Sequence, residues 1–362
     1  MSESQVALDT RESLEKFSAF SVDRLLKADL PPAEWIVEGL IPDKGMTLLD
    51  AKPGDFKSYL SIHLSLCVAT GEPFLERKVK QGKVLYIDEE NDIDLLRERF
   101  EKLRNAFSHV FEERRRKQGL EYKSKTQGKP LQKIWIMSFK NVKMNSQGKK
   151  EIEKIMKELN PSIVIVDSLV RVMEGDENST RDAKAIFNTI KDLSRKYGCS
   201  FLFLHHTRKY DQKRKNAKLT IDDVRGSGDF VAAASSVLIL NRLKDDTFQL
   251  TQGKSRGTRK KSNDIGFKVE DRLCFDTREG LFIEIMEELE KFTKAESLAH
   301  EIKEYFYKNK IKLFQPKEIY EAFEDYPQRT VRRAFEEELV SLGVVKKGKE
   351  QGVYEVLPQH KF

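Results

Sequence analysis

Ala51-Lys-Pro-Gly-Asp-Phe-Lys-Ser58 joins an apolar run, Met46-Thr-Leu-Leu-Asp50, to a stretch in which Leu60, Leu64 and Val68 recur at helical spacing up to Gly71. How this loop is read decides the fold. A loop between a buried strand and a helix start can hold phosphate if its backbone N–H groups converge on the oxygens, where the helix dipole favours an anion. The chemistry also asks for a lysine reaching the β- and γ-phosphates and a hydroxyl for magnesium. Lys57 and Ser58 are those residue types in those places. The usual glycines are missing: Ala51 stands first, Phe56 precedes the lysine, and only Pro53-Gly54 keeps turn character. An ordinary turn before a helix stays open from this segment alone. Read as a nucleotide site, residues Ala51, Lys52, Pro53, Gly54, Asp55, Phe56, Lys57, Ser58 and Tyr59 surround the phosphates.

Working outward, apolar strand patterns alternate with helical ones. Lys83-Val-Leu-Tyr-Ile-Asp88 predicts a strand, followed by a charged helix from about 92 to 107. Ile134-Trp-Ile-Met predicts a strand, then a helix ending at Asn160-Pro161, then the strand Ile163-Val-Ile-Val-Asp167. A helix over about 181–197 stops at Gly198, and Ser200-Phe-Leu-Phe-Leu leads to His205-His206. Residues 237–240 and 247–252 predict further strands. This alternation means an α/β fold with a mainly parallel sheet covered on both faces, its core running from about 35 to 285. Between 112 and 133 stand eight Lys/Arg and three Glu without apolar periodicity, read as a basic surface insert.

After a charged link from 287 to 294 the pattern changes. Helices are expected over about 296–309, 316–323 and 328–342, with Pro316 in a first turn and Gly343 as a stop. A β-hairpin with a glycine-rich tip follows from Val344. That succession is the winged-helix layout. The expected division is a 1–32 extension, a 33–286 α/β nucleotide-binding domain and a 293–362 winged-helix domain.

The 362 residues carry a net charge of +7 with 35% charged and 39% hydrophobic residues, which suits a large and a small domain and permits an anionic partner. Cys67, Cys199 and Cys274 match no metal spacing, and Cys67 and Cys199 read as reduced core residues. No apolar run approaches the roughly 20 residues of a membrane span, and the polar start is unlike a signal peptide. The expected location is cytoplasmic, with no membrane partner.

Two further carboxylate positions bear on the chemistry. Asp167 ends a strand, where it is placed to hold magnesium opposite Ser58 or, equally, to cap the next helix. Asp88, Glu89 and Glu90 end another, where one of them can polarise an attacking water or all three form a solvated terminus. Together, Trp35-Ile-Val-Glu-Gly-Leu-Ile-Pro, Thr47-Leu-Leu with Lys57-Ser58, Val84-Leu-Tyr-Ile-Asp-Glu-Glu-Asn91 and Ile163-Val-Ile-Val-Asp-Ser-Leu169 resemble the RepA-like branch of the RecA/DnaB ATPases. His205-His-Thr, Arg225-Gly-Ser-Gly and Lys254-Ser-Arg-Gly257 extend the resemblance, which covers about 33–285 in the same order. It implies a RecA-like P-loop core, ATP and Mg2+ as cofactors, and a homo-oligomer, with a hexameric ring as one form. It also implies that Glu90 activates water and that His206 is the sensor of the γ-phosphate, a position His205 can share. Arg225, Lys254 and Arg256 then resemble finger residues that reach a neighbouring subunit's nucleotide. Where the family commonly has glycine, Ala51 and Phe56 depart, which bears on turnover rate more than on binding.

Nucleic acid has two candidate surfaces. From Thr207 to Lys218 there are six positive residues and one negative. In the RecA-like fold this loop faces the ring channel, so Lys209, Lys213, Arg214 and Lys215 are placed for phosphates and Tyr210 for stacking on a base. A solvated charge run is the alternative. In the C-terminal region, Arg329, Arg332 and Arg333 on the third helix, with Lys346 and Lys347 in the wing, suit duplex DNA. Its near-neutral balance of thirteen Lys/Arg and twelve Asp/Glu suits protein docking as well. The expected function is a DNA-stimulated motor ATPase of helicase or translocase type. The rival is a nucleotide-switched DNA-binding regulator with slow hydrolysis and no unwinding.

Overall fold

A computed structural model describes residues 19–29, 34–117, 131–207, 218–226, 228–244, 246–256, 262–275, 277–286, 294–340, 343–348 and 352–357. The chain forms two compact units, the larger holding the described residues up to 286 and the smaller those from 294.

The larger unit opens with helix α1 (Val22–Lys27) and a small antiparallel pair, β1 (Trp35–Val37) with β2 (Ile41–Pro42). Its centre is a nine-stranded sheet made of β3 (Gly45–Ala51), β4 (Val84–Asp88), β5 (Ile134–Ser138), β6 (Ile163–Asp167), β7 (Ser200–His206), β8 (Ser236–Lys244), β9 (Thr247–Ser255), β10 (Ile265–Leu273) and β11 (Glu279–Ile285). Their order is β11-β10-β9-β8-β3-β7-β6-β4-β5. From β8 to β5 every pair is parallel, while β9, β10 and β11 add an antiparallel meander. The α/β, mainly parallel architecture is therefore what forms, and it fits a RecA-like P-loop core. Strands β4 and β6 are buried along their whole length, which explains why they read as unbroken apolar runs.

The helices carry their own start and stop chemistry. α2 (Lys57–Thr70) is buried on most sides and ends at Gly71. α3 covers Ile93–Lys117, α4 Ser146–Leu159, α5 Leu169–Val172, α6 Thr180–Tyr197 and α7 Gly228–Ala233. Asn145 and Ser179 cap α4 and α6 by accepting backbone N–H groups, at about 1 kcal/mol each. Along α6, Ala183, Ile186, Ile190 and Leu193 form the buried stripe.

Two expectations are corrected here. The helix expected to end near Phe107 runs to Lys117, so residues 112–117 are helical rather than part of a loop, and 131–133 form a 3-10 turn. The reason is tertiary. Ala106 and Val110 pack with Cys274 and Phe282, giving the extra turns a surface to lie on, and Glu113 pairs with Lys117 at 3.0 Å. The strands of that surface, β10 and β11, were not among the predicted strands, although each pairs with a neighbour along the chain. The insert's residues 118–130 lie outside the described residues. Cys67, Cys199 and Cys274 are free and buried.

The smaller unit runs α8 (Lys294–Lys308), β12 (Leu313–Phe314), α9 (Pro316–Ala322), α10 (Gln328–Arg333), a π-helical turn over Ala334–Leu339, β13 (Val345–Lys347) and β14 (Tyr354–Val356). Its sheet order is β12-β14-β13, all antiparallel, so β12 is a third strand that the sequence reading lacked. Pro316 occupies the first turn of α9, with Gln315 and Glu318 forming a capping box. Leu298, Ile302, Phe306, Phe314, Val331 and Phe335 supply the core.

Candidate active site

The parallel register brings the predicted residues to one end of the sheet. Asp88 lies opposite Asp167 across β4 and β6, and Ala51 opposite His206 across β3 and β7. The phosphate loop follows β3 directly. In open α/β sheets this end, beyond the carboxyl termini of the strands, is where ligands sit.

Lys57 begins α2 and is buried. Its ammonium donates to the carbonyls of Ala51 and Lys52, both at 2.9 Å. An ammonium has three protons, so one remains for a ligand oxygen. Burial lowers its pKa against the raising influence of Asp50 and Asp167. The Ser58 hydroxyl donates to Asp167 Oδ2 at 2.6 Å. Asp167 is 3% exposed, and its pKa is pushed up to about 7 by burial and then by the neighbouring Asp88 carboxylate. Among the described residues no group of three or more His, Cys, Asp or Glu is arranged to hold a metal. Magnesium needs only one or two protein oxygens beside phosphate and water. The hard oxygens of Ser58 and Asp167, already in contact, fit that requirement.

The three acids after β4 divide by role. Asp88 Oδ1 accepts the backbone N–H groups of Glu90 and Asn91 at 2.9 and 2.8 Å and so turns the chain. Glu89 is buried, and its carboxylate accepts three backbone N–H groups, from Lys140, Asn141 and Val142. Glu90 alone reaches the site, with Oε2 3.5 Å from His206 Nε2. The hydrogen bond from His206 holds its carboxyl at about 2, with further help from the Ser168 hydroxyl, against the opposing effect of burial. Glu90 is therefore ionised at neutral pH. We expect His206→Gln to raise the Glu90 carboxyl toward its ordinary value, read directly by NMR titration of its side-chain carboxyl carbon. An unmoved titration would break this link.

His205 and His206 face opposite ways, as neighbours on a strand do. His205 is fully buried, with Nδ1 3.1 Å from Asp50 Oδ1 and its ring 5.9 Å from that of Phe230. Neither Asp50 nor this pairing carried any local sequence signal.

Phe56 holds the position where glycine was missed. It has φ 63, a left-handed conformation that costs a bulky residue about 1–2 kcal/mol. Its ring lies 5.1 Å from Tyr59 at 11° and 5.1 Å from Phe248 at 29°. Such pairs contribute about 0.5–1.5 kcal/mol each, enough to offset the backbone cost. Tyr59 thus supports the loop from α2, and Arg99 lies 5.1 Å over its ring.

The predicted finger residues are engaged within their own chain. Arg225 pairs with the buried Glu177 at 2.5 Å. Lys254 donates to the carbonyls of Val231 and Ala232, and Arg256 to that of Ala232, at the C-terminal end of α7. The site does not gather them with Lys57 and Glu90. In the smaller unit Arg332 pairs with Glu336 at 2.7 Å, Arg333 with Glu337 at 3.0 Å and Lys346 with Glu355 at 3.1 Å. Arg329 is exposed at the start of α10, and Lys347 is exposed on β13. Lys209, Tyr210, Lys213, Arg214 and Lys215 lie outside the described residues.

A family model described as an AAA domain matches residues 10–212, more than half of the chain. The chain belongs to the AAA domain family. Lys57, Ser58, Glu90 and Asp167 stand together at the loop end of the sheet, and the family is one of P-loop ATPases. Among solved structures, one described as an ATPase domain matches with a TM-score of 0.49 and 15% identity, over 69% of this chain and 96% of that one. No curated protein matches. Among the described residues no helix is long and apolar enough to cross a membrane.

Proposed function

We propose that this AAA domain protein is an oligomeric, DNA-stimulated ATPase motor of the RepA-like kind, acting as a helicase or translocase in replication or repair. The observation that carries the reading is the contact between Glu90 and His206. It couples the residue that orients water to the strand end that leads into the basic run at 207–218. Lys57 and the loop amides bind phosphates. Ser58 and Asp167 would hold magnesium, which would supply positive charge to the phosphates. Glu90 then orients the water in line with the γ-phosphate. A change at the γ-phosphate alters the Glu90–His206 contact and, through β7, the loop that holds single-stranded DNA.

The smaller unit, with its helix, strand, helix, helix and two-stranded return, is read as a winged helix. In it Arg329 and Lys347 are the exposed cations best placed for duplex phosphates. A second reading, a nucleotide-switched regulator with slow turnover, draws support from the internal bonding of Arg225, Lys254 and Arg256, each of which is engaged within its own chain. ATP turnover with and without single-stranded DNA, with Lys57→Ala as the inactive control, separates the two. The motor reading expects turnover stimulated at least fivefold by DNA and strand displacement by the wild type. Turnover indifferent to DNA, with a sedimentation profile that stays monomeric in ATP, sinks it.

A further inference from the structure

We propose that Arg242, on β8, is a positioning residue for the phosphate loop, fixing its shape without touching the nucleotide. This rests on the nucleotide reading of the loop. One guanidinium makes three attachments at the loop and its aromatic support, besides a longer pairing of Nη1 with Asp246 Oδ1 at 3.9 Å. Nη2 donates to the carbonyl of Gly54 at 3.3 Å, Nε lies 3.4 Å from Asp55 Oδ1, and the planar group lies 5.0 Å over the ring of Phe248. Phe248 faces Arg242 across the β8–β9 ladder and in turn carries Phe56. The ladder shifts register between Arg242 and Lys244, an irregularity of the kind that re-aims side chains beside functional sites.

The consequence reaches the lysine. The peptide between Gly54 and Asp55 is planar, with its carbonyl and N–H on opposite sides. Arg242 holds the carbonyl, while the N–H donates to Lys52 O at 3.2 Å. Lys52 O also accepts from Lys57 Nζ at 2.9 Å. A chain of contacts therefore runs from Arg242 through one locked peptide plane to the ammonium that meets phosphate. Gly54, with φ 80 and no side chain to brace it, is the point that most needs such a hold. A lysine at 242 is a point charge without a flat face or a fork of donors, and it cannot make all three attachments.

The test uses the full-length chain and a fluorescent N-methylanthraniloyl ATP, alongside steady-state hydrolysis. Arg242→Ala is expected to weaken binding of ATP and of ADP about tenfold alike and to raise KM to match, with kcat within twofold. Arg242→Lys is expected to recover less than half of that loss on a logarithmic scale. Asp55→Asn is expected to weaken binding a few-fold alone and to add little to Arg242→Ala, because both act through one contact. Unchanged binding in Arg242→Ala overturns the proposal. So do additive effects of the two substitutions, or a fall in kcat at constant KM, which marks a contact made in the transition state. If melting curves show that Arg242→Ala does not fold, Arg242→Lys carries the same comparison, with at least a threefold loss expected. A wild-type protein that fails to bind the ATP analogue overturns the nucleotide reading itself and the proposal with it, a result distinct from equal binding by wild type and variants.

Discussion

Asp167→Asn is expected to cut ATP turnover at least a hundredfold and, in the same protein, to raise the melting temperature of the nucleotide-free state at pH 8. The two effects share one cause. Asp167 is buried beside Asp88, and its carboxyl holds a proton up to about pH 7. The unfolded chain releases that proton near 4. Between those values the folded state binds more protons than the unfolded one, so this group's contribution to stability falls as pH rises from about 4 through about 7. A three-unit shift corresponds to about 4 kcal/mol at 1.36 kcal/mol per unit, and sharing of the strain with Asp88 brings the expectation to about 2 kcal/mol. For a unit of this size that is about 4–8 °C. Asparagine keeps an acceptor for the Ser58 hydroxyl while removing the charge. At pH 5 the stabilisation should shrink to about a third, because only about one of the three units between 4 and 7 has been crossed, and below pH 4 it should vanish. A melting temperature that is unchanged or lower at pH 8, or turnover that survives, contradicts the assignment.

Glu90→Gln is expected to lower kcat by about 10²- to 10³-fold with ATP affinity held within about threefold. Glu90 makes none of the loop's contacts; it meets His206 and Ser168 instead. Removing its charge therefore affects the step and not the binding. The neighbouring residue provides the control. Glu89 accepts three backbone N–H groups, so Glu89→Ala leaves the buried Val142 donor and two part-buried ones unpaired and costs about 1–3 kcal/mol of stability. Its remaining folded fraction should hydrolyse ATP at near the wild-type rate. Single-turnover kinetics and thermal melts on the two variants distinguish chemistry from folding. Equal kcat losses for both would mean that the turn after β4 acts as one unit.

Much of this site is legible in the sequence because its elements report themselves locally. The Lys57-Ser58 pair at a helix start and Asp167 at the end of an apolar strand each carry a type-and-place signal. The residues after β4 leave the three acids open, and only the family resemblance points to Glu90 rather than Glu89; the division of hydrogen bonds among the acids fits that choice. What sequence did not disclose are the long-range partners. The antiparallel strands β10 and β11 escaped, and with them the surface that extends α3 by more than two turns. Phe56 read as a departure from the loop pattern because its supports, Phe248 and Phe267, lie far along the chain. Arg225, Lys254 and Arg256 resemble fingers that reach a neighbouring subunit, and no local signal tells of the acceptors each has within its own chain, on Glu177 or at the end of α7.

The left-handed Phe56 has a consequence for portability. The column beneath it continues from Phe248 to Phe267, whose rings lie 5.5 Å apart at 18°. The eight residues from Ala51 to Ser58 are thus not a self-sufficient cassette. Grafted onto another strand-and-helix scaffold without that column, they would present a bulky ring with positive φ and nothing to rest on. Conversely, a scan that ranks loops by their glycine spacing alone passes over chains built this way. In such chains the missing glycine is answered by an aromatic pair on distant strands, and a covarying set of loop and strand positions is the signature to look for.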